Sequence, residues 1–299
     1  MTGTLTEARR DEDPAGLELL ADTARQGAEA AAMRTGVTVR LVATQEDARR
    51  ASALFDGVWG REQGRSAATP ELTWALAHAG NYVSIAELGG QVVGASLAFR
   101  AEDGRGAYLH SHLAGVEAQL QGRNVGFTLK LHQRWWALAH GLDRVVWTFD
   151  PLVARNAYFN IVKLGAEIAS FYENFYGILQ DSLNSGDLSD RCLVVWELPS
   201  ARAAAACDGM TEATDVERLC REGIPTVLRP GPDGGPVQVS GQGDSLLCQV
   251  PLDIVALRAS GPARAREWRL ALRSVLGRAF EAGYRVTGAN RDGWYLLSR

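Results

Sequence analysis

The sequence lacks any apolar run that could cross a membrane, since none approaches the roughly 20 residues that a spanning helix requires. Its first residues, MTGTLTEARRDEDP, are polar and acidic, whereas a signal peptide is basic and then apolar. We therefore expect a protein with no membrane partner that works in the cytoplasm.

Cysteine and clustered positive charge are also scarce. The four cysteines (Cys192, Cys207, Cys220 and Cys248) stand alone, without CxxC or histidine-paired spacing, so neither a zinc site nor a disulfide framework is predicted. The 31 Lys and Arg residues form no basic run, and the formal net charge is −4. Nucleic acid is therefore not an expected partner.

What the sequence does contain is enough apolar material for a core, and a glycine-containing loop between a strand and a helix. Apolar residues make up 46% of 299 residues, which suits one large or two ordinary domains. Residues 108–116 have the composition of a strand, residues 121–126 (QGRNVG) follow, and residues 125–140 carry apolar side chains at three- and four-residue steps. Such a loop is either an ordinary turn that connects a strand to a helix, or a nest of backbone N–H groups that binds an anion, above all phosphate.

The wider context of the loop resembles the GNAT superfamily of acyl-CoA-dependent acyltransferases. That family's loop follows Gln/Arg-x-x-Gly-x-Gly/Ala and holds the CoA pyrophosphate by backbone amides. Gln121 and Gly126 match the pattern, and Asn124, which tolerates positive φ, stands where the first glycine is usual. The resemblance implies a mixed α/β (α+β) fold: a splayed, mostly antiparallel sheet flanked by helices, with elements in the order β-α-α-β-β-β-α-β-α-β-β.

Three parts of the chain are distinguished by composition. Residues 1–36 have few large apolar side chains and are expected to form a mobile or loosely docked arm. Residues 37–199 would form the GNAT domain. Beyond the small-residue stretch ARAAAACDG, residues 200–299 are predicted to form a smaller α/β unit, either a lid on the acceptor pocket or a partial repeat. We expect a monomer or a homodimer.

The resemblance also implies the residues that contact CoA. The strand before the loop would bind the pantetheine arm through its backbone, the loop and helix start would bind the pyrophosphate, and a later helix would add an asparagine and an aromatic residue. These candidates are Leu113, Ala114, Gly115, Val116, Gln121, Gly122, Arg123, Asn124, Val125, Gly126, Phe127, Asn156 and Phe159.

Candidates for proton transfer are less clearly marked. The family's usual tyrosine donor is replaced by Ile161. Tyr172 is the preferred substitute, with Tyr158 and Tyr176 as nearby alternatives. For the amine's proton, His110 and His112 alternate on one strand, so both should project to the same side. They are either a general base or two of the three ligands of a metal site, and we favour the base and expect no metal.

Asp150 ends the predicted strand WTFD, where open sheets bind ligands. It would either fix the amine or cap a helix starting at Leu152. Trp59 and Trp74 would either border the acceptor pocket or pack in the core.

The expected activity is transfer of an acyl group from CoA to the amine of a small molecule, such as an amino acid, within a ternary complex. The acyl group is either acetyl or a dicarboxylic acyl such as succinyl, so the co-substrate is acetyl-CoA or succinyl-CoA. A non-catalytic acyl-CoA sensor or scaffold, and an acyl-CoA hydrolase or decarboxylase, are the alternatives.

Overall fold

A computed structural model describes residues 14–60, 66–179, 184 and 186–299. The helices in these ranges are α1 (Pro14–Thr35), α2 (Gln45–Trp59), α3 (Pro70–His78), α4 (Val125–Ala139), α5 (Ala154–Tyr158), α6 (Ala201–Cys207), α7 (Val216–Arg221), α8 (Ile254–Ser260) and α9 (Pro262–Glu281). The strands are β1 (Thr38–Leu41), β2 (Val83–Leu88), β3 (Gln91–Asp103), β4 (Gly106–Val116), β5 (Arg144–Phe149), β6 (Glu167–Tyr172), β7 (Arg191–Glu197), β8 (Thr226–Pro230), β9 (Pro236–Gln238), β10 (Ser245–Gln249), β11 (Arg285–Ala289) and β12 (Trp294–Ser298).

The chain divides into two compact units. The first consists of Met1–Trp147 and Glu197–Ser200, and the second of Thr148–Trp196 and Ala201–Arg299. We predicted the boundary near residue 199, whereas β6 and most of β7 fall in the second unit. The reason is packing, because β6 lies against β11, α9 and the π-helical segment Phe159–Lys163 that continues α5.

The first unit is built on a meander. Strands β1 to β4 pair antiparallel in sequence, and the parallel strand β5 follows α4. Gly89 and Gly90 form a two-residue turn between β2 and β3, both with positive φ, and Leu88 pairs with Gln91 across it. The strand order of the whole sheet is β1-β2-β3-β4-β5-β7-β6. The predicted mixed, mostly antiparallel sheet flanked by helices, and its element order, are confirmed.

The N-terminal segment differs from the prediction of a mobile or loosely docked arm. Residues 1–13 lie outside the described residues, but residues 14–35 form helix α1, which packs along α4. Its buried side chains are small: Ala21, Ala24, Ala28 and Ala31. A stripe of alanines lets two helices approach closely without large side chains, which explains why counting large apolar residues underestimated this contact. Helix α4 is therefore covered by α1 as well as by the sheet.

The second unit contains a five-stranded sheet in the order β11-β12-β10-β8-β9. Together with helices α6 to α9, it is the smaller α/β unit that the sequence predicts. The small-residue stretch ARAAAACDG contains α6, with Ala203 and Ala206 buried. The pair α9–β11 resembles α4–β5 of the first unit only as a helix followed by a strand, because β5 pairs parallel with β4 and β11 pairs antiparallel with β12.

Among the helices that the structure describes, none combines the length and apolar character that crossing a bilayer requires.

Candidate functional site

Strands β4 and β5 separate shortly after they meet. In the described chain their register contains two pairs, Leu109 with Val145 and His110 with Val146. Strand β4 nevertheless continues to Val116. The backbone of residues 111–116 therefore has no β5 partner on that side, and a bound molecule can use the hydrogen-bonding groups that a paired strand would have occupied. This gap is the splay that the resemblance predicts.

The loop at the open end of the gap has the backbone that the sequence predicts. Gly122 has φ 82° and Asn124 has φ 64°, so the asparagine adopts the left-handed conformation usual for glycine. Gln121 anchors the loop to the strand, since its Nε2 donates to the carbonyl of Val116 at 3.4 Å. Helix α4 begins at Val125, so its first N–H groups, which lack partners within the helix, point towards the loop.

Gly126 lies in the first turn of α4. Its φ is not positive, so the backbone conformation at this position does not require glycine. A Cβ added there would come 3.6 Å from Cγ2 of Val116, an ordinary van der Waals distance, so the fold has room for it. The added atom would occupy the space between the helix start and the end of β4. A phosphate group bound by the backbone of this turn would use that space, so the bare glycine fits the CoA pyrophosphate.

The side chains of β4 beyond the pairing point pack mainly for structural reasons. Leu113 joins the apolar cluster beneath α2, and a Cβ on Gly115 would come within 3.2 Å of the Trp59 ring. Trp59 and Trp74 are both partly buried in that cluster, in agreement with the core alternative. Leu113 and Gly115 thus face packed neighbours, and the predicted pantetheine contacts would be made by the backbone of this segment.

His110 and His112 lie on one side of β4, as predicted, with Phe99 of β3 beside them. Ring centroids are 5.0 Å apart for Phe99 and His110, and 6.2 Å apart for the two imidazoles. Leu97 pairs with Leu113 and Ala98 with Ser111, which makes His112 the extra residue of a β-bulge. Bulges re-aim side chains and are common beside active sites.

The surroundings of both imidazoles favour the neutral form. Burial lowers the pKa of His112 below its ordinary 6.5, and burial together with the charges of His112 and Lys130 lowers the pKa of His110. A neutral imidazole can accept a proton from an attacking amine. No group of three or more metal-binding side chains occurs among the described residues.

The other predicted site residues lie in the second unit. Tyr172 ends β6 with 39% of its surface exposed and packs against the ring of Phe175. Asn156 is exposed on α5, and Phe159 begins the π-helical segment. Of the alternative tyrosines, Tyr176 is hydrogen-bonded to Thr148 (3.2 Å between hydroxyl oxygens), and the Tyr158 ring lies 5.0 Å from the Arg291 guanidinium.

Asp150 belongs to a buried ion cluster in the second unit. Its carboxylate accepts hydrogen bonds from Arg258 and Arg269, which also contact Asp187. The backbone N–H of Leu152 donates to Asp150 Oδ1 at 2.9 Å, as the capping alternative predicts, although α5 begins only at Ala154. The two guanidinium groups hold the pKa of Asp150 far below its usual range. Since its oxygens are occupied, we do not assign Asp150 to the chemistry.

The charge of Asp150 is expected to stabilise the second unit. Asp150→Asn should lower the free energy of unfolding by about 3 kcal/mol, because it removes one of the two carboxylates that balance the buried guanidinium groups of Arg258 and Arg269 and leaves Asp187 alone with both. Urea denaturation would measure this loss, with Asp143→Asn, an exposed aspartate, as the control. A loss below about 0.5 kcal/mol would show that the cluster does not need this charge. The depressed pKa means that the contribution of Asp150 is present above the unfolded-state pKa and lost only in strong acid.

No protein-family model matches the chain, and none of the curated proteins matches it. Several solved structures are similar to about half of it. A GNAT-family acetyltransferase from Streptococcus pneumoniae is 17% identical and covers 53% of this chain and 97% of its own, with a TM-score of 0.43. An IAA acetyltransferase from Bacillus cereus is 16% identical and covers 54% and 99%, with a TM-score of 0.41. The ribosomal-protein-S18-alanine N-acetyltransferase from Escherichia coli is 14% identical and covers 55% and 96%, with a TM-score of 0.42.

Proposed function

We propose that this protein transfers an acyl group from CoA to the amine of a small molecule such as an amino acid. The observation that carries the proposal is the gap between β4 and β5, with a left-handed loop and a helix N-terminus at its open end. A thioester arm can lie along the unpaired edge of β4 while the pyrophosphate rests on the turn that follows. The resemblance of the QGRNVG loop to the GNAT pattern supports the same ligand.

In the proposed binding mode the backbone of residues 121–127 receives the pyrophosphate. The first N–H groups of α4 and the positive end of its dipole favour the negative charge. Arg123 is exposed in the loop and adds a positive charge. The backbone groups of residues 111–116 on the edge that β5 leaves open then exchange hydrogen bonds with the amides of the pantetheine arm. These bonds fix the thioester against β4.

The chemical step is a direct attack. The amine nitrogen bonds to the thioester carbon, the carbon–sulfur bond breaks, and CoA leaves as a thiolate. His112 or His110 accepts the proton that the amine loses, directly or through one water. An acid returns a proton to the thiolate. Ile161, which replaces the family's usual tyrosine, cannot be that acid, because its side chain has no proton to donate.

The loss of the usual tyrosine also favours a second candidate function, binding of acyl-CoA without transfer. Ile161 is buried within the π-helical segment and supplies no proton. A sensor or scaffold would keep the CoA loop and lose the acid. A hydrolase or decarboxylase would use the same gap without an amine acceptor.

A free-thiol release assay separates these functions. The full-length protein is incubated with acetyl-CoA, succinyl-CoA and related thioesters, with and without a panel of amines and amino acids. Thiol release that depends on an amine, with the acylated amine detected by mass spectrometry, is the expected result. Release without amine would indicate hydrolysis, loss of CO₂ would indicate decarboxylation, and binding without release would indicate the sensor.

A further inference from the structure

Lys130 of α4 lies at the point where β4 and β5 separate. The last paired residues are His110 and Val146, so Ser111 and Trp147 are the first residues beyond the pairing on either side. The Lys130 Nζ donates to Ser111 Oγ at 3.0 Å and lies 4.0 Å from the centroid of the Trp147 ring. The ammonium group therefore sits at the closed end of the gap and contacts both of its walls.

This ammonium group is buried, and none of its contacts among the described residues is a carboxylate. Lys130 is 6% exposed, and its two hydrogen-bond acceptors, Ser111 Oγ and Gln133 Oε1 (2.9 Å), are both neutral. Gln133 in turn donates to Ser96 Oγ at 3.3 Å. Buried lysines are rare unless paired with an anion, and an ammonium has three N–H groups to satisfy. A carboxylate beside the ammonium group would complete its set of hydrogen-bond acceptors and balance its charge.

The positive charge is not balanced by its surroundings. On α4, β4 and β5 the other titratable or charged side chains that are buried or partly buried are Tyr108, His110, His132, Arg134 and Arg144, and His112 on β4 is exposed. None of these carries a carboxylate, and the carboxylate that pairs with Arg144 is that of Asp103. Lysine is also uncommon in this chain, since only Lys130 and Lys163 occur among 31 Lys and Arg residues.

The direction of the proposed ligand brings its acyl end to this point. With the pyrophosphate at residues 121–127, the arm can only run back along β4 from Val116 towards Ser111, a distance of about 16 Å for five residue steps. The acyl group is the far end of the molecule, so it lies nearest the closed end of the gap. An acyl chain that ends in a carboxylate would supply the anion that Lys130 lacks.

We propose that Lys130 binds the terminal carboxylate of a dicarboxylic acyl group, so that the preferred donor is a thioester of the malonyl-CoA or succinyl-CoA class. This inference rests on the proposed function and extends it to the acyl group. Ser111 and Gln133 hold the ammonium in place, and the Trp147 ring shields the ion pair from water. In such a site a charge-assisted hydrogen bond is considerably stronger than a neutral one.

The ion pair has a specific dependence on pH. Burial lowers the pKa of Lys130 from 10.5 to about 7 in the absence of a ligand. Lysine is charged below its pKa, so affinity for a carboxylate-bearing chain should be highest below pH 7 and should decline above it. The affinity for free CoA, which has no acyl chain to place beside Lys130, should not follow this curve.

Calorimetric titration of the full-length protein tests the proposal with free CoA, butyryl-CoA, malonyl-CoA and freshly prepared succinyl-CoA. Butyryl-CoA has a methyl group where succinyl-CoA has its carboxylate. At pH 6.5 we expect malonyl-CoA or succinyl-CoA to bind wild type at least about tenfold more tightly than butyryl-CoA, the size expected for one charge-assisted hydrogen bond. Lys130→Met should remove that preference while free CoA binds as before. Arg49→Met, which removes an exposed cation from α2, should keep the preference.

The outcomes distinguish this inference from the function on which it rests. If wild type does not bind free CoA, both are overturned. If free CoA binds but the dicarboxylic thioesters have no advantage over butyryl-CoA, or if Lys130→Met keeps the advantage, this inference alone is overturned. The comparison within wild type does not depend on the folding of a variant. If Lys130→Met also loses affinity for free CoA, thermal unfolding shows whether the variant is folded. The pH dependence of wild type then tests the assignment to Lys130, because a preference for the dicarboxylic thioesters that does not decline above pH 7 would overturn it.

Discussion

Gly126→Val is expected to abolish binding of CoA and acyl-CoA. The backbone of residue 126 lies in the first turn of α4, and a side chain there would project towards Val116, into the space proposed for the pyrophosphate. The protein itself can accommodate the change, because the first added atom meets only an ordinary contact and helical φ suits valine at a modest cost. Calorimetric titration with CoA should show no detectable heat, while the thermal unfolding temperature stays close to that of wild type.

Two variants serve as controls for this result. Gly27→Val introduces the same side chain on the exposed face of α1, where a Cβ meets nothing within 4 Å, and should leave CoA affinity unchanged. Arg123→Ala should weaken binding only modestly, since amide donors hold the phosphates and the exposed arginine is a secondary contact. Equal affinity of wild type and folded Gly126→Val would refute the phosphate site.

The fold was largely predictable because the first unit obeys local rules. Alternating or continuous apolar strands, the Gly89-Gly90 turn and the glycine after α4 each specify their element without reference to the rest of the chain. The predictions failed where stability comes from contacts distant in sequence. Helix α1 is held by alanines against α4, and β6 is grouped with the C-terminal strands by packing that no periodicity reveals.

The candidate site divides in the same way. The loop was recognisable because left-handed backbone requires particular residues, and Asn124 supplies that conformation. The buried arginines around Asp150 come from α8 and α9, more than a hundred positions along the chain, so their pairing could not be read from spacing. Lys130 did carry a signal, since a lysine within a run of apolar helix positions is unusual. Its location at the end of the β4–β5 pairing required the register of the two strands.

Lys130 affects the pKa values of the two histidines differently. The charge of Lys130 contributes to the lowered pKa of His110, whereas burial alone lowers the pKa of His112. Because the pKa of Lys130 is about 7, its ammonium is charged over the range in which His110 would take up a proton. We therefore propose His112 rather than His110 as the base, since the charge of Lys130 does not contribute to its lowered pKa.

Replacing His112 by alanine is expected to reduce turnover by about 10²- to 10⁴-fold, the usual contribution of general acid–base help. Affinity for CoA should change little, because His112 is proposed to contact the amine and the backbone holds the cofactor. A base must be neutral to accept a proton, so wild-type turnover should fall as the pH drops through the pKa of His112, which lies below 6.5. The residual activity of the variant should not show this fall at low pH. His140→Ala, which removes an exposed histidine at the end of α4, is the matched control. It should keep wild-type turnover and the fall in turnover at low pH. A His112→Ala protein that is destabilised but keeps near-normal turnover per folded molecule would show that this histidine only packs against Phe99.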